Sequence, residues 1–295
     1  MGVPQGRWLC PAKINLYLKI LGRRQDGYHE LVTVMQPLSL ADELQVRPGR
    51  GLTLECRHPE APPGADNLVW RAAQAFAAAT GEDLQVHLHL VKNIPVAAGL
   101  GGGSSDAAAT LLALNQRAGS PLDSAALNQL GAALGADVPF FLQPGPAVGR
   151  GVGTDLTPLD LPGFWYVLFN PGVALSTRWV YAQLDPETLA RHGAPARDTW
   201  EAEHPEDWVA NDLETVTLRR YPELGAALKK FARAGARAQG MSGSGPTLFG
   251  LFDEAAPARA AAARLRDQVS GWLAVARGLT RDDELAGWEN QVWII

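Results

Sequence analysis

Apolar and polar positions alternate along AKINLYLKIL, residues 12–21. Ile14, Leu16, Leu18 and Ile20 share one face, and Lys13, Asn15, Tyr17 and Lys19 the other. A period of two predicts a half-buried strand. GRRQDGYHELVTVMQPL carries a turn signal at Asp26-Gly27 and then a second strand-like run. LQVHLHLVKNIP alternates again up to Pro95, and FWYVLFNPGV reads as a buried strand. Helical spacing takes over in DNLVWRAAQAFAAATG, with Asp66 or Asn67 as N-cap and Gly81 as stop. Further helices are expected from about Ser105 to Ala118, over SAALNQLGAALG, over two segments on either side of Pro222, and over APARAAAARLRDQV. ADVPFFLQPGPAVGRGVG reads as loop and strand, and ARAQGMSGSGPTLFGLFD as two strands around a Gly-Ser turn. Residues 185–207, rich in Pro, His and acids, are expected to form a surface excursion. LTPLDLPG, residues 156–163, carries turn residues without periodicity, so a boundary is placed between domains 1–157 and 158–295.

One stretch breaks these patterns. PVAAGLGGGSSDAAATLLAL puts Gly99, Gly101, Gly102 and Gly103 ahead of Ser104-Ser105 and an alanine-rich helix. Glycine loses the most backbone entropy on folding, so such density implies unusual dihedrals or backbone brought close to a ligand. A strand, a glycine turn and a helix N-terminus together make an anion site, because unpaired N–H groups and the positive end of the dipole converge there. Ser104 and Ser105 are candidates to cap the helix, to donate hydroxyls to phosphate, or to hold magnesium; a plain tight turn with a serine cap is the bland alternative. A P-loop needs Gly-Lys, which the chain lacks, and G-x-G-x-x-G fits no register of 99–106. GMSGSGP is not a hydrolase elbow either, because Ser244 occupies the last glycine position.

At 295 residues with 46% hydrophobic and 19% charged positions, the chain is long enough for two globular domains. A net charge of −5 argues against nucleic acid as the main partner, and no run approaches membrane-spanning length. Two cysteines, Cys10 and Cys56, make no disulfide framework, which points to a reducing cytoplasm. His87 and His89 share one strand face without a third suitably spaced ligand, so a solvated face is expected there rather than a metal site.

PVAAGLGGGSSDAAA closely resembles the nucleotide loop of the GHMP kinases, the superfamily of galactokinase, homoserine kinase, mevalonate kinase and phosphomevalonate kinase. PAKINLYL and GMSGSGPTLFGLF match that family in the expected order, from about residue 10 to residue 252. PAKINLYLKILGRRQDGYHEL, LGADVPFF and NPGV…ST resemble one branch of it, whose alcohol acceptor carries a cytidine diphosphate handle and feeds non-mevalonate isoprenoid biosynthesis. Thr154 stands where relatives often carry Glu, and residues 186–208 match nothing in the pattern.

The resemblance implies an α+β, two-domain GHMP kinase fold: a ribosomal-protein-S5-like nucleotide domain and a C-terminal ferredoxin-like domain. It implies an enzyme using ATP and Mg2+ on a small-molecule substrate, with Asp137 accepting the hydroxyl proton. Lys13 would orient that aspartate and stabilise charge near the transferred phosphate. ATP would meet Pro95, Val96, Ala97, Ala98, Gly99, Leu100, Gly101, Gly102, Gly103, Ser104 and Ser105, with Asn67 and Lys92 on the adenine side and Ser105 as a candidate magnesium ligand. The acceptor would meet Asn15, Tyr28, His29, Thr177, Tyr181 and Gly243, the aromatic rings stacking the pyrimidine and His29 bonding its edge. Read from residues alone, Asp137 is better taken as a turn aspartate and Lys13 as a solvated strand lysine; the resemblance reverses both. Another GHMP kinase, or a relative that keeps the pocket and has lost catalysis, are the competing readings; complete retention of Lys13, Asp137 and the serine-containing loop favours the enzyme.

Overall fold

The computed structural model describes residues 6–186, 189–190, 193–194, 197–286 and 292–294. It divides into two compact units, each discontinuous in sequence. The first holds the described residues up to Ala12, Leu40–Val96 and Gly101–Pro144; the second holds Lys13–Ser39, Ala97–Leu100 and the described residues from Gly145 onward. Two long strands, β1 (Arg7–Arg23) and β2 (His29–Pro48), have segments in both units.

In the first unit, the end of β2 runs antiparallel to β4 (Val86–Val91), from Glu43 opposite Val91 to Pro48 opposite Val86. β3 (Leu52–Cys56) lies parallel on the other edge of β4. Three helices accompany these strands: α1 (Leu68–Thr80), α2 (Gly102–Arg117) and α3 (Ser124–Leu134). Ala72, Ala73 and Phe76 of α1 share a core with Ala107, Ala108, Leu111 and Leu114 of α2 and with Leu44, Leu88 and Leu90. Alanine on both facing helices lets their backbones approach closely, which accounts for the alanine-rich run after the glycines. Asn67, rather than Asp66, caps α1: its side chain accepts from the Val69 N–H, and Gly81 ends the helix in the left-handed region.

In the second unit, β1 pairs in parallel with the short β8 (Ala210–Asn211), and β2 pairs with β5 (Ala147–Arg150), which pairs with β6 (Asp155–Pro158). A separate five-stranded antiparallel sheet has the order β12-β11-β7-β10-β9. Its strands are β7 (Trp165–Asn170), β9 (Ala238–Met241), β10 (Leu248–Phe252), β11 (Trp272–Arg277) and β12 (Val292–Ile294). Helices α4 (Thr177–Ala182), α5 (Glu214–Arg220) and α6 (Pro222–Arg233) fall between β7 and β9, and α7 (Ala255–Arg266) between β10 and β11; α8 (Arg281–Ala286) follows. Taking β7, β9, β10 and β11 as strands one to four gives the βαββαβ order 4-1-3-2 of the ferredoxin-like fold, with β12 added outside β11. β10 is buried throughout, and at Gly250 a methyl group would lie 2.6 Å from the Phe231 ring of α6, so only glycine lets that helix settle on the strand.

Two expectations need correction, and two further segments carry more structure than their composition suggests. β1 is not half-buried: Lys13, Asn15 and Tyr17 are as enclosed as Ile14 and Leu16, because their polar atoms find partners inside the protein. Helix α2 begins at Gly102, not near Ser105, since Gly101 (φ 71°) already turns the chain into it. Residues 155–158, at the expected boundary, form strand β6. The excursion after residue 185 lies mostly at the surface, as expected, and is anchored at several points. Trp208 is buried, with its indole N–H donating to Glu201 O, and the Trp200 ring meets Tyr17 edge-on at 6.0 Å. Lys19 reaches Ala194 O. Residues 187–188, 191–192 and 195–196 of this stretch lie outside the described residues.

Candidate active site

The second unit carries Lys13, Asn15, the loop segment Ala97–Leu100 and Gly243. Lys13 and Asn15 share a strand face, and the Lys13 ammonium donates to Asn15 Oδ1 at 2.5 Å. Asn15 Nδ2 donates to Thr33 Oγ1 (2.9 Å), whose hydroxyl donates to Tyr17 O (2.8 Å). The Asn15 amide therefore aims the lysine and is itself aimed from β2. Gly243 (φ 56°) arches over this pair: a methyl group there would lie 3.1 Å from Asn15 Oδ1 and 3.6 Å from Lys13 Nζ.

Ala98–Leu100 has three consecutive carbonyls tied down within the unit. Ala98 O accepts from Thr247 N at 3.3 Å, Gly99 O from the Ser242 hydroxyl at 2.9 Å, and Leu100 O from Lys13 N at 2.9 Å. Ala97 (φ 52°), Gly99 (φ 76°) and Gly101 (φ 71°) all take left-handed backbone. At Gly99 the need for glycine is steric too, because a methyl group would stand 2.4 Å from Ser242 O. Among the described residues, the N–H groups of Gly99, Leu100 and Gly101 donate to no protein acceptor. Carbonyls held while N–H groups stay open is the state an anion-binding loop requires.

Expected acceptor residues also meet in the second unit. The His29 and Tyr181 rings lie 5.2 Å apart at 42°. Burial, with a smaller effect from Arg23, lowers the His29 pKa, favouring a neutral imidazole with one donor and one acceptor for a base edge. Tyr28 immediately precedes His29 and is two-thirds exposed (66%), leaving its ring face open to solvent. Thr177 Oγ1 lies 2.8 Å from Ser244 Oγ, so the hydroxyl of α4 meets the second glycine loop.

In the first unit, α2 starts at Gly102, so Gly103, Ser104 and Ser105 occupy its first turn. Neither serine caps it: the N-cap is Gly101, which has no side chain to offer. Ser105 Oγ and Asp106 Oδ1 are buried without a hydrogen-bond partner. Buried polar atoms without partners are costly, so each of these oxygens is suited to a ligand. Asp137 lies in the turn before Pro139, beside this helix start; a methyl group on neighbouring Gly135 would be 3.8 Å from Ser104 Oγ.

Two adenine-side expectations change meaning. Asn67 has both ends of its amide committed, to Val69 N and Pro62 O, so it is a helix cap. Lys92 is a buried cation bound to Asp42 and, at 2.7 Å, to Asp106. Asp42 Oδ1 also accepts from Asn93 N and, at 2.8 Å, from Ile94 N. Burial works to lower the Lys92 pKa, but Asp106 and Asp42 more than offset it and hold the lysine above its ordinary range. Burial raises Asp106 to about 7, with Lys92 pulling the other way. A methyl group on Gly102 would lie 3.2 Å from Lys92 Nζ and 3.3 Å from Asp42 Oδ2, so this triad sits directly under the first turn of α2.

The sequence reasoning passed over Asp42, Asp106, Ser242 and Asn211. Asp106 follows the serines directly and Ser242 lies inside GMSGSG, so position offered a signal for both; Asp42 and Asn211 gave none. His87 stays about a third exposed, with its Nδ1 2.9 Å from Thr53 Oγ1. Among the described residues no His, Cys, Asp and Glu cluster could hold a metal by itself, and no helix is long and apolar enough to cross a membrane.

Comparison with known proteins agrees with this geometry. Residues 67–145 match the GHMP kinases N terminal domain and residues 198–271 the GHMP kinases C terminal domain. The chain is 42% identical over 276 residues to 4-diphosphocytidyl-2-C-methyl-D-erythritol kinase of Geobacter sp. (strain M21), covering 91% of this chain and 96% of that protein. A crystal structure of 4-(cytidine 5'-diphospho)-2C-methyl-D-erythritol kinase superposes with a TM-score of 0.75 at 40% identity, over 92% of this chain and 99% of that one. Homoserine kinase from Cytophaga hutchinsonii shares the fold alone, at 16% identity and a TM-score of 0.66 over 100% of this chain and 99% of its own. The chain belongs to the GHMP kinases, enzymes that phosphorylate small molecules with ATP.

Proposed function

We propose that this protein transfers the γ-phosphoryl group of ATP to the 2-hydroxyl of 4-diphosphocytidyl-2-C-methyl-D-erythritol, a step toward isoprenoid precursors. Among GHMP kinases, the observation that carries this acceptor is the His29–Tyr181 ring pair with exposed Tyr28 beside it. A kinase for mevalonate or homoserine has no pyrimidine to hold, whereas an aromatic face and a neutral imidazole suit a cytosine face and edge. Near-full-length similarity above 40% to enzymes of that name supports the same reading.

In this reading residues 1–157 make the nucleotide domain and residues 158–295 the C-terminal one. The open N–H groups of Gly99 to Gly103, reinforced by the dipole of α2, bind the phosphates. Pro95 to Ala98 shape the strand exit that leads into them. Mg2+ fits the orphaned oxygens: Ser105 Oγ would hold it together with the ATP phosphates, neutralising their charge. Asp137 accepts the proton of the 2-hydroxyl as its oxygen bonds to phosphorus and the bond to ADP breaks. Lys13, aimed by Asn15, offsets negative charge on the transferring group. Thr177 and Gly243 border the acceptor. The free thiols Cys10 and Cys56 suit a reducing compartment, and we assign the enzyme to the cytoplasm.

The test is ADP release measured in parallel with diphosphocytidyl-methylerythritol, mevalonate and homoserine. Turnover with the cytidine compound alone is expected. Asp137→Asn should lower its kcat by about two to four orders of magnitude with little change in ATP affinity, the range for a lost general base. Preference for mevalonate or homoserine, or an Asp137→Asn enzyme near the wild-type rate, overturns the assignment.

A further inference from the structure

Asn211 closes β8, in register with Leu18 of β1, and is buried. Its Nδ2 donates at 2.7 Å to both Met241 O and Gly243 O, and its Oδ1 accepts from Leu213 N at 2.9 Å. Three of its four possible bonds are thereby made, two of them to carbonyls that flank a single residue. Glu214 completes the grip, with Oε1 accepting from Met241 N at 2.7 Å.

The residue between the gripped carbonyls is Ser242. Its hydroxyl donates to Gly99 O and accepts from Asn15 N (3.1 Å), and Gly243 beside it covers Lys13 and Asn15. Asn211 thus holds the backbone on both sides of Ser242, whose hydroxyl bonds the first glycine loop and the strand bearing Lys13. Free rotation of the Met241–Gly243 peptides would release Gly99 O, and a peptide turned over at Gly99 would point an oxygen where an N–H belongs.

We infer that Asn211 is a positioning residue for phosphoryl transfer, which fixes the Met241–Gly243 turn so that Ser242 holds the nucleotide loop open. The inference rests on the kinase reading for its effect on turnover, but its effect on ATP binding stands on family membership alone. Asn211→Asp keeps the size and the acceptor for Leu213 N while placing a second oxygen against Met241 O and Gly243 O. Ser242→Ala leaves every bond of Asn211 in place and removes only the link to Gly99 and Asn15.

Binding of the non-hydrolysable analogue adenylyl imidodiphosphate with magnesium is measured by calorimetry, whose stoichiometry counts folded molecules. Each single variant should weaken affinity about tenfold, the effect of one buried group left unpaired. The double variant should be no weaker than the worse single one, because both act through Ser242. In turnover, kcat should fall in both variants. Unchanged affinity per folded molecule in Ser242→Ala overturns the inference, whatever Asn211→Asp does, and so do losses that simply add. A wrong acceptor would abolish wild-type turnover while leaving the calorimetric result intact, so the two failures are distinguishable.

Discussion

Replacing Lys92 separates a ligand contact from a structural one. Its side chain is 5% exposed and those of Asp42 and Asp106 are 0% and 4% exposed, so Lys92→Met strands two carboxylates in the interior. Removing one partner of a buried ion pair typically costs about 3–5 kcal/mol. At roughly 2–4 °C per kcal/mol for a domain of this size, the melting temperature should fall by about 10 °C. The loss should depend on pH in a definite direction. Burial already raises Asp106 to about 7 against a lowering effect from Lys92, so without the lysine its folded pKa rises further. Between the unfolded value and that raised one, the folded state binds more protons than the unfolded state, and stability must increase as pH falls. Urea denaturation of wild type and Lys92→Met from pH 8 to pH 5 reads this directly: the gap should be widest at pH 8 and narrow toward pH 5. Adding Asp106→Leu to Lys92→Met removes one stranded charge and should restore part of the stability at pH 8. If Lys92 instead served only adenine, Lys92→Met would raise the KM for ATP and leave the urea midpoint in place. A destabilisation below about 1 kcal/mol, the range of exposed ion pairs, refutes the buried-triad argument.

Gly99→Ala should impair both folding and ATP affinity, because a methyl group meets Ser242 O in a left-handed residue. Gly103→Ala meets only Leu68 at an ordinary 3.4 Å, so it should stabilise α2 by about 0.5–1 kcal/mol while weakening ATP binding; unchanged nucleotide affinity in calorimetry would return the loop to a purely structural role. Tyr181→Leu keeps packing against the second unit's core and removes the ring. It should raise the KM for the cytidine substrate by the equivalent of about 1–3 kcal/mol with the KM for ATP unmoved, and equal increases in both would show that Tyr181 is packing alone.

Period and punctuation made most of the fold legible. Alternation marked β1, β2 and β4, Pro222 marked the break between α5 and α6, and Gly81 marked the end of α1. What failed was burial on the polar face of β1. Lys13 and Asn15 look solvated because alternation records side-chain chemistry, whereas their enclosure comes from Thr33 and Ser242, at separations of 18 and 227 residues from Asn15. The start of α2 was misplaced for a related reason. Glycines are poor helix formers, so propensity pushed the start past them, yet the tie between Leu100 O and Lys13 N and the left-handed Gly101 begin the helix at Gly102.

The same contrast explains which site residues a sequence gives away. Groups proposed to face a ligand sit in loops and turns with distinctive composition, as Gly99–Ser105 and Tyr28-His29 do. Groups that hold those loops are scattered and ordinary: Asp42 inside a strand, Asn211 at the end of a two-residue strand, Glu214 at a helix start. Their chemistry is nonetheless specific. Asp42 satisfies two backbone N–H groups beyond its lysine, and Asn211 grips two carbonyls. Each fixes a backbone rather than touching a substrate, so neither needs neighbours in sequence that would announce it. A buried amide or carboxylate that binds loop backbone is therefore the feature to seek in the structure. It is where small substitutions should alter phosphoryl transfer without altering which acceptor is chosen.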